Sequence, residues 1–454
     1  MKFNIEFLKT ILLVFLVGLS LLLTLGLWTY QGDYETASRD LAAEAQLDGT
    51  DATKRDLIQP SQLIIHDGDA PFGFVDKHVE QDIFTELTTW NLYDFQIMSE
   101  ETAFQKENYN QVIEIVFPAS MPFSLINEIF STDDTMRFDG KFKRVYIILD
   151  EEQTDHQIIF DDGNPDGIDI WAGVHNMNQI IDFFAEKRDN HSLTEYLTKT
   201  IYSDRTVYIP EETDIQGRKY RYETINASST NFLNIFFRNP SSIASSPNDE
   251  SGQVFSDGQR EVNVNGYAME YNNFSIPDSQ TDLEDDIEGS YADYLLNNSV
   301  EYINSHNGWL VEQDMNYRLS RLNDVTSSVE FRLIHENYPI FSSQGLSSMS
   351  VTYQNQNVYQ YNRPLMKLTL SYDRAPTDLM TGKQLVKYLD QSDQFNWEDI
   401  LDIQIGYKLE QQPGGQIFDL IPTWCIETYS GWEYVTRETK PVNQGGNPNA
   451  VGSN

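Results

Sequence analysis

Cysteine is nearly absent from this chain: Cys425 stands alone among 454 residues, so no internal disulfide can form and packing alone must hold the fold. Basic residues are scarce too, with 31 Lys and Arg against 70 Asp and Glu and a net charge of −39. Without a basic stripe, no nucleic-acid partner is expected, and other anionic polymers are disfavoured. The local scaffolds of common catalysis are also missing: no HExxH, GxSxG, SxxK, Walker loop or GxGxxG occurs. Seven histidines, at 66, 78, 156, 175, 191, 306 and 335, include no i,i+4 pair, so a zinc protease site has no support and no cofactor is expected. Carboxylate pairs are too common in so acidic a chain to mark a glycosidase.

What the sequence does have is a long apolar run. Ile11 to Tyr30 is twenty residues without a charge. At about 1.5 Å rise per residue it spans a hydrocarbon slab of about 30 Å. A cleavable signal would have a shorter apolar core followed at once by small residues, whereas Leu27, Trp28 and Tyr30 follow here, so an uncut signal anchor is expected. Lys2 and Lys9 precede the run and no Lys or Arg follows until Arg39. That bias predicts a single-pass protein of the cell membrane, its N-terminus (1–9) cytoplasmic, its helix at 10–30 and its remainder extracellular. Trp28 and Tyr30 are the expected anchors at the membrane interface.

At 40% hydrophobic and 13% aromatic over its 454 residues, the chain is expected to fold, and the part after the run reads as an α+β ectodomain long enough for about two to four domains. Residues 31–59 are polar and Ala-rich and predict a stalk. Within 60–208, QLIIH (62–66), DFQIM (94–98), QVIEIVF (111–117), RVYIILD (144–150) and QIIF (157–160) read as strands, and 79–90 and 177–187 as helices, which makes an N-terminal α/β domain. A central strand-rich domain is expected over 209–289, with FLNIFF (232–237) as a strand and Asn265-Gly266 as a hairpin turn. Six acidic residues between Asp278 and Glu288 place a boundary near 290. The domain at 290–437 repeats one plan, a helix followed by an antiparallel meander: first 291–305 with 329–335, 348–353 and 358–372, then 383–389 with 403–409, 423–429 and 432–435. The tail at 438–454 is expected to be disordered.

Two features bear on chemistry. Asp162, Asn164 and Asp166 match the opening of a calcium loop, but Gly173 occupies the position of the closing bidentate acid and proline the fourth, so an acidic turn is preferred to a metal site. Cys425, in the apolar stretch 420–426, is expected to be a buried, inert thiol. In the membrane helix, Gly18 shares a face with Val14, while Ser20 and Thr24 lie opposite. Small residues allow close helix approach, and hydroxyls can bond across helices for roughly 0.6–2 kcal/mol. Two such faces would serve two helical partners, whereas one Gly and two hydroxyls also suit an ordinary anchor.

The anchor Lys9-Thr10-Ile11-Leu12-Leu13-Val14, the boundary phrase Leu27-Trp28-Thr29-Tyr30-Gln31 and the segment Leu420-Ile421-Pro422-Thr423-Trp424 resemble the YycH (WalH) family of membrane-anchored regulators along the whole chain. Gly32 departs from the pattern, where proline is expected. The resemblance implies a non-enzymatic regulator of a WalK/YycG-like sensor histidine kinase in a WalK/WalR two-component system, working with a YycI-like sister protein whose ectodomain is similar to the later domains here. It implies that Val14, Gly18, Ser20, Thr24 and Gly26 form a partner-binding helix surface, with self-association a further outcome of such a surface. Two other classes stay open: an extracytoplasmic ligand sensor, and a cell-wall hydrolase with hidden carboxylates.

Overall fold

The computed structural model describes residues 13, 15–20, 46–98 without 69, 104–150 without 134–137, 158–277 with short gaps, and 290–435 without 313, 376–378 and 416. Ten strands form the first sheet: β1 (Gln62–Asp67), β2 (Ala70–Phe74), β3 (Asn91–Ile97), β4 (Gln111–Pro122), β5 (Ser131–Thr132), β6 (Lys141–Ile148), β7 (Ile158–Asp161), β8 (Ile170–Val174), β9 (Leu193–Tyr202) and β10 (Arg205–Pro210). Their spatial order is β10-β9-β2-β1-β4-β6-β7-β8-β3-β5, and every pairing is antiparallel except β3 with β5. The helix Lys77–Leu87 buries Val79, Ile83, Phe84 and Leu87, the i, i+4 face that its sequence predicts. Each such side chain contributes about 1.5–3 kcal/mol by burial. Beneath it, Phe84, Phe117, Phe142 and Phe160 meet edge to face with ring centroids 5.3–5.9 Å apart.

The second sheet has fourteen strands: β11 (Gly217–Thr224), β12 (Ala244–Pro247), β13 (Gln253–Ser256), β14 (Arg260–Asn265), β15 (Ala268–Asn273), β16 (Met315–Asn323), β17 (Ser328–His335), β18 (Tyr338–Phe341), β19 (Ser348–Gln354), β20 (Asn357–Pro364), β21 (Met366–Ala375), β22 (Ile400–Gln411), β23 (Phe418–Thr428) and β24 (Gly431–Tyr434). It consists of two antiparallel ladders joined by β18, which pairs antiparallel with β17 and parallel with β22. The helix Tyr291–Asn304 leads into the first ladder's β16, β17, β19 and β20; the helix Gly382–Asp390, opened by a Thr381–Gln384 capping box, leads into β22, β23 and β24 of the second.

Strands from 209–289, read from the sequence as a separate domain, are divided between these ladders. β11 lies between β21 and β23, and β15 pairs with β20. Nothing local marks those partners, which lie roughly ninety or more residues downstream. FLNIFF is a second difference: Thr230–Phe236 is a helix. Ser229 caps it by accepting a hydrogen bond from the Phe232 amide, and Phe232 and Phe236, four apart, are both buried. A short apolar run cannot be assigned from periodicity alone. The hairpin does form, but its two-residue loop is Gly266-Tyr267, because Asn265 pairs with Ala268 and Gly266 takes φ +58°.

The end of the expected stalk is also docked. The Leu47 amide donates to the His306 carbonyl (2.8 Å) and the Thr50 amide to the Trp309 carbonyl (3.1 Å), while Ala52 makes two 3.0 Å hydrogen bonds with the Asn304 side chain. Lys54 bonds both Glu128 of the first unit and Asn297 of the second, and Leu57 and Ile58 are buried. Residues 46–58 thus form a strap across both sheeted units. The acidic connection at 278–289 and the tail from 436 lie outside the described residues.

Candidate functional site at the seam between the two sheets

The first unit meets the second along a polar seam in which one short turn is central. β17 ends at His335 and β18 begins at Tyr338, its paired residue, leaving Glu336 and Asn337 as a two-residue loop at φ +48° and +65°. Left-handed φ at both positions matches the twist of a tight hairpin, but glutamate lacks the local hydrogen bonding that lets asparagine tolerate it. Asn337 uses this placement fully. Its Oδ1 accepts from Arg318 Nη2 at 2.5 Å, and its Nδ2 lies 3.4 Å from the Lys77 carbonyl and 3.0 Å from His78 Nδ1, both on the first unit's helix. Glu336 pairs with Arg218 of β11.

Below the turn, Lys77 Nζ lies 2.5 Å from Glu80 Oε1 and 2.9 Å from the Tyr196 hydroxyl. Burial alone would push this lysine down, but Glu80, Tyr196 and Tyr338 around it outweigh that and hold it protonated. Burial pushes the Glu80 carboxyl up against the pull of Lys77. Arg318 is 9% exposed, and desolvation brings it down to about 10. Its Nε makes no hydrogen bond among the described residues.

Above the turn a cavity of about 840 Å³ opens between the units. His78 and Gln81 line it from the first unit; Arg218, Tyr220, His335 and Arg374 are among those lining it from the second. His335, 1% exposed, sits with Nδ1 3.1 Å from the Asp314 carbonyl and 3.4 Å from the Tyr220 hydroxyl. Burial pushes its pKa down.

A second buried charge lies on the first sheet, where Glu114 of β4 is 1% exposed. It accepts from His66 Nε2 (2.8 Å) and the Tyr208 hydroxyl (2.7 Å), with Lys106 at 3.5 Å. Arg144 Nε lies 3.1 Å from its other oxygen, close enough for an ion pair but without hydrogen-bond alignment. Desolvation would raise this carboxyl; the His66 bond and the charges of Lys106 and Arg144 overcome it and bring it to about 2.

Of the residues singled out in the sequence, Gly18 and Ser20 are helical and exposed, whereas Val14, Thr24, Gly26, Trp28 and Tyr30 lie outside the described residues. Among the described residues no helix is long and apolar enough to cross a membrane. Asp162 is in the turn between β7 and β8, where burial and the neighbouring Asp161 raise its pKa; Asp169 is raised to about 6 by burial and by Asp161 and Asp162. Asn164 and Asp166 lie outside the described residues, among which no group of three or more acidic, His or Cys side chains could hold a metal ion. Cys425 is fully buried, and burial pushes its thiol well up. Asn337, Arg218 and the strap went unread in the sequence. The only local signal was the polar Glu336-Asn337 pair directly after an apolar strand.

The fold and the seam define the class: an α+β protein of two sheeted units, its C-terminal sheet assembled from two joined ladders, with a strap and a polar seam between the units. The chain belongs to the YycH family. The YycH protein C-terminal domain matches residues 204–441, and the YycH protein N-terminal domain matches residues 6–165. The chain is similar to the two-component system WalR/WalK regulatory protein YycH of Bacillus subtilis (strain 168), 20% identical over 446 residues that cover 93% of this chain and 94% of that protein. The crystal structure of YycH from Bacillus subtilis has the same fold, with a TM-score of 0.65 at 16% identity over 86% of this chain and 99% of that one.

Proposed function

We propose that this protein is a non-enzymatic regulator of a WalR/WalK-type two-component system, anchored by the helix at 10–30 with its ectodomain extracellular. The observation that carries the reading is the likeness to a WalR/WalK regulatory protein along 93% of the chain. Two features of the structure support the finer mechanism. Leu13, Phe15, Leu16, Val17 and Leu19 present exposed apolar side chains on a helix, as a segment facing lipid or other helices would. The strap, 26 residues after Ser20, joins both sheeted units to the chain that leads from that helix.

In this mechanism, Val14, Gly18, Ser20, Thr24 and Gly26 pack beside the membrane helices of a WalK/YycG-like kinase, with Trp28 and Tyr30 setting the depth. The ectodomain docks a YycI-like sister protein, and the strap conveys its arrangement to the helix. A regulator shifts a kinase only by binding its two signalling states unequally, and about 1.4 kcal/mol of difference gives a tenfold shift. The test replaces Ile11 to Tyr30 with an unrelated anchor of equal length and measures output of the kinase's regulon at matched protein level. Loss of regulation is the expected result; unchanged regulation overturns the helix contact.

A further inference from the structure

We propose that the cavity between the helix Lys77–Leu87 and strands β11, β17 and β21 is a binding site for a small molecule bearing an oxyanion, a carboxylate or a phosphate, held by Arg218 and Arg374. At about 840 Å³ it falls within the size of small-molecule sites. Its charge is unlike that of the rest of the protein. The chain has more than two acids for every base, whereas this wall sets Arg218 and Arg374 against only Asp314 and Glu336. In a molecule of net charge −39, a wall whose charges balance repels an anion less than the average of the surface does.

Arg218 supplies the second, independent observation. It is 7% exposed, ion-paired through Nη2 to Glu336, and stands directly opposite Arg374 in the register of β11 with β21, so that both arginines line the same wall. A guanidinium has five donors in a planar fork suited to two oxygens of one oxyanion, and two guanidinium groups paired across neighbouring strands can take one anion between them. Arg374, exposed at the rim, is placed to take the other side of the anion, and Ser371 offers a neutral hydroxyl. Asp314 at the mouth disfavours ligands of high negative charge and favours one whose far end is neutral or cationic.

The wall is shared between units. His78 and Gln81 come from the first sheet's helix and the arginines from the second sheet, so a ligand spanning them binds one separation of the units better than another. Asn337, which ties His78 to Arg318, adjoins the same space. Ligand occupancy would thereby bias the seam, a consequence that rests on the regulatory reading; the binding itself does not.

The experiment titrates the full chain, purified in mild detergent, with glycylglycine as a carboxylate probe and inorganic phosphate as a phosphate probe at constant ionic strength, read by calorimetry and by thermal shift. Saturable binding of one probe with Kd near or below ~1 mM is expected, weakened about tenfold or more in R374Q and lost in R218Q. R260Q, on the remote β14, should bind like the parent. If R218Q fails to fold, the R374Q and S371A variants carry the comparison. Absence of saturable binding by both probes up to about 10 mM, or binding that R374Q leaves unchanged or R260Q weakens equally, overturns the site.

Discussion

Substituting Asn304 by alanine should release the strap while leaving the two sheets folded. Asn304 Oδ1 accepts from the Ala52 amide at 3.0 Å and from the Trp309 indole at 2.6 Å, and its Nδ2 donates to the Ala52 carbonyl at 3.0 Å. The two bonds to the strap are worth about 0.5–1.5 kcal/mol each, or roughly 1–3 kcal/mol together. Trp309, 2% exposed, also loses its acceptor, which adds a local cost of about 1–3 kcal/mol. Leu47 and Thr50 keep their backbone bonds, so the strap should fray and not detach outright. Hydrogen exchange reads this directly: at about 1.4 kcal/mol per decade, the amides of 47, 50 and 52 should exchange roughly 10- to 100-fold faster, while those of β4 and β22 stay protected. In cells, the variant should accumulate normally yet lose much of its effect on the kinase's regulon. Equal acceleration in the strap and in the sheet strands would mean a global loss of stability, and unchanged exchange at 47–52 would mean that Asn304 does not hold the strap; either refutes the reasoning.

Two further outcomes follow from buried groups. Glu114→Gln removes a carboxylate whose pKa is brought from 4.5 to about 2 by its partners, which corresponds to roughly 3 kcal/mol of stability at neutral pH. Because the folded-state pKa is depressed, this contribution is full above the unfolded value near 4.5 and is lost as the pH falls towards 2. Denaturant titrations should therefore separate parent and E114Q widely at pH 7 and by only about a quarter as much at pH 2.5, and a gap that persists undiminished in acid would contradict the assignment. Gly406→Ala places a Cβ 2.5 Å from the Pro339 carbonyl oxygen and 2.9 Å from the Phe341 ring, where β18 joins the two ladders. A cost of about 1–3 kcal/mol is expected as a lowered Tm, and an unchanged melting curve would show that the joint can open freely.

Particular elements show how far reading the chain residue by residue reaches. β1, β4 and β6, the helices near 79–90 and 177–187, and the hairpin after Asn265 were legible because each depends on a short window: a period of two or of 3.6, or a glycine free to take positive φ. The burial of Cys425 and the family resemblance were likewise readable from contiguous residues. FLNIFF was not, because five apolar residues around a single Asn234 satisfy either period and only the Ser229 cap and the packing of Phe236 on Tyr271 decide for a helix. β16 is less legible because its apolar/polar alternation holds only through Ser320 and is broken at Arg321, where the pairing with β17 shifts register.

By itself the sequence determined the apolar N-terminal run, the acidic balance, the kinds of element and most of their places, because these are properties of neighbouring residues. Only the tertiary structure decided which strands share a sheet, that residues 46–58 bind across both units, and that His78, Arg218, Asn337 and Arg374 converge at one seam. A local pattern encodes which face a residue turns inward. It does not encode the partner that face will meet, since β11 finds β21 only after well over a hundred intervening residues have been placed.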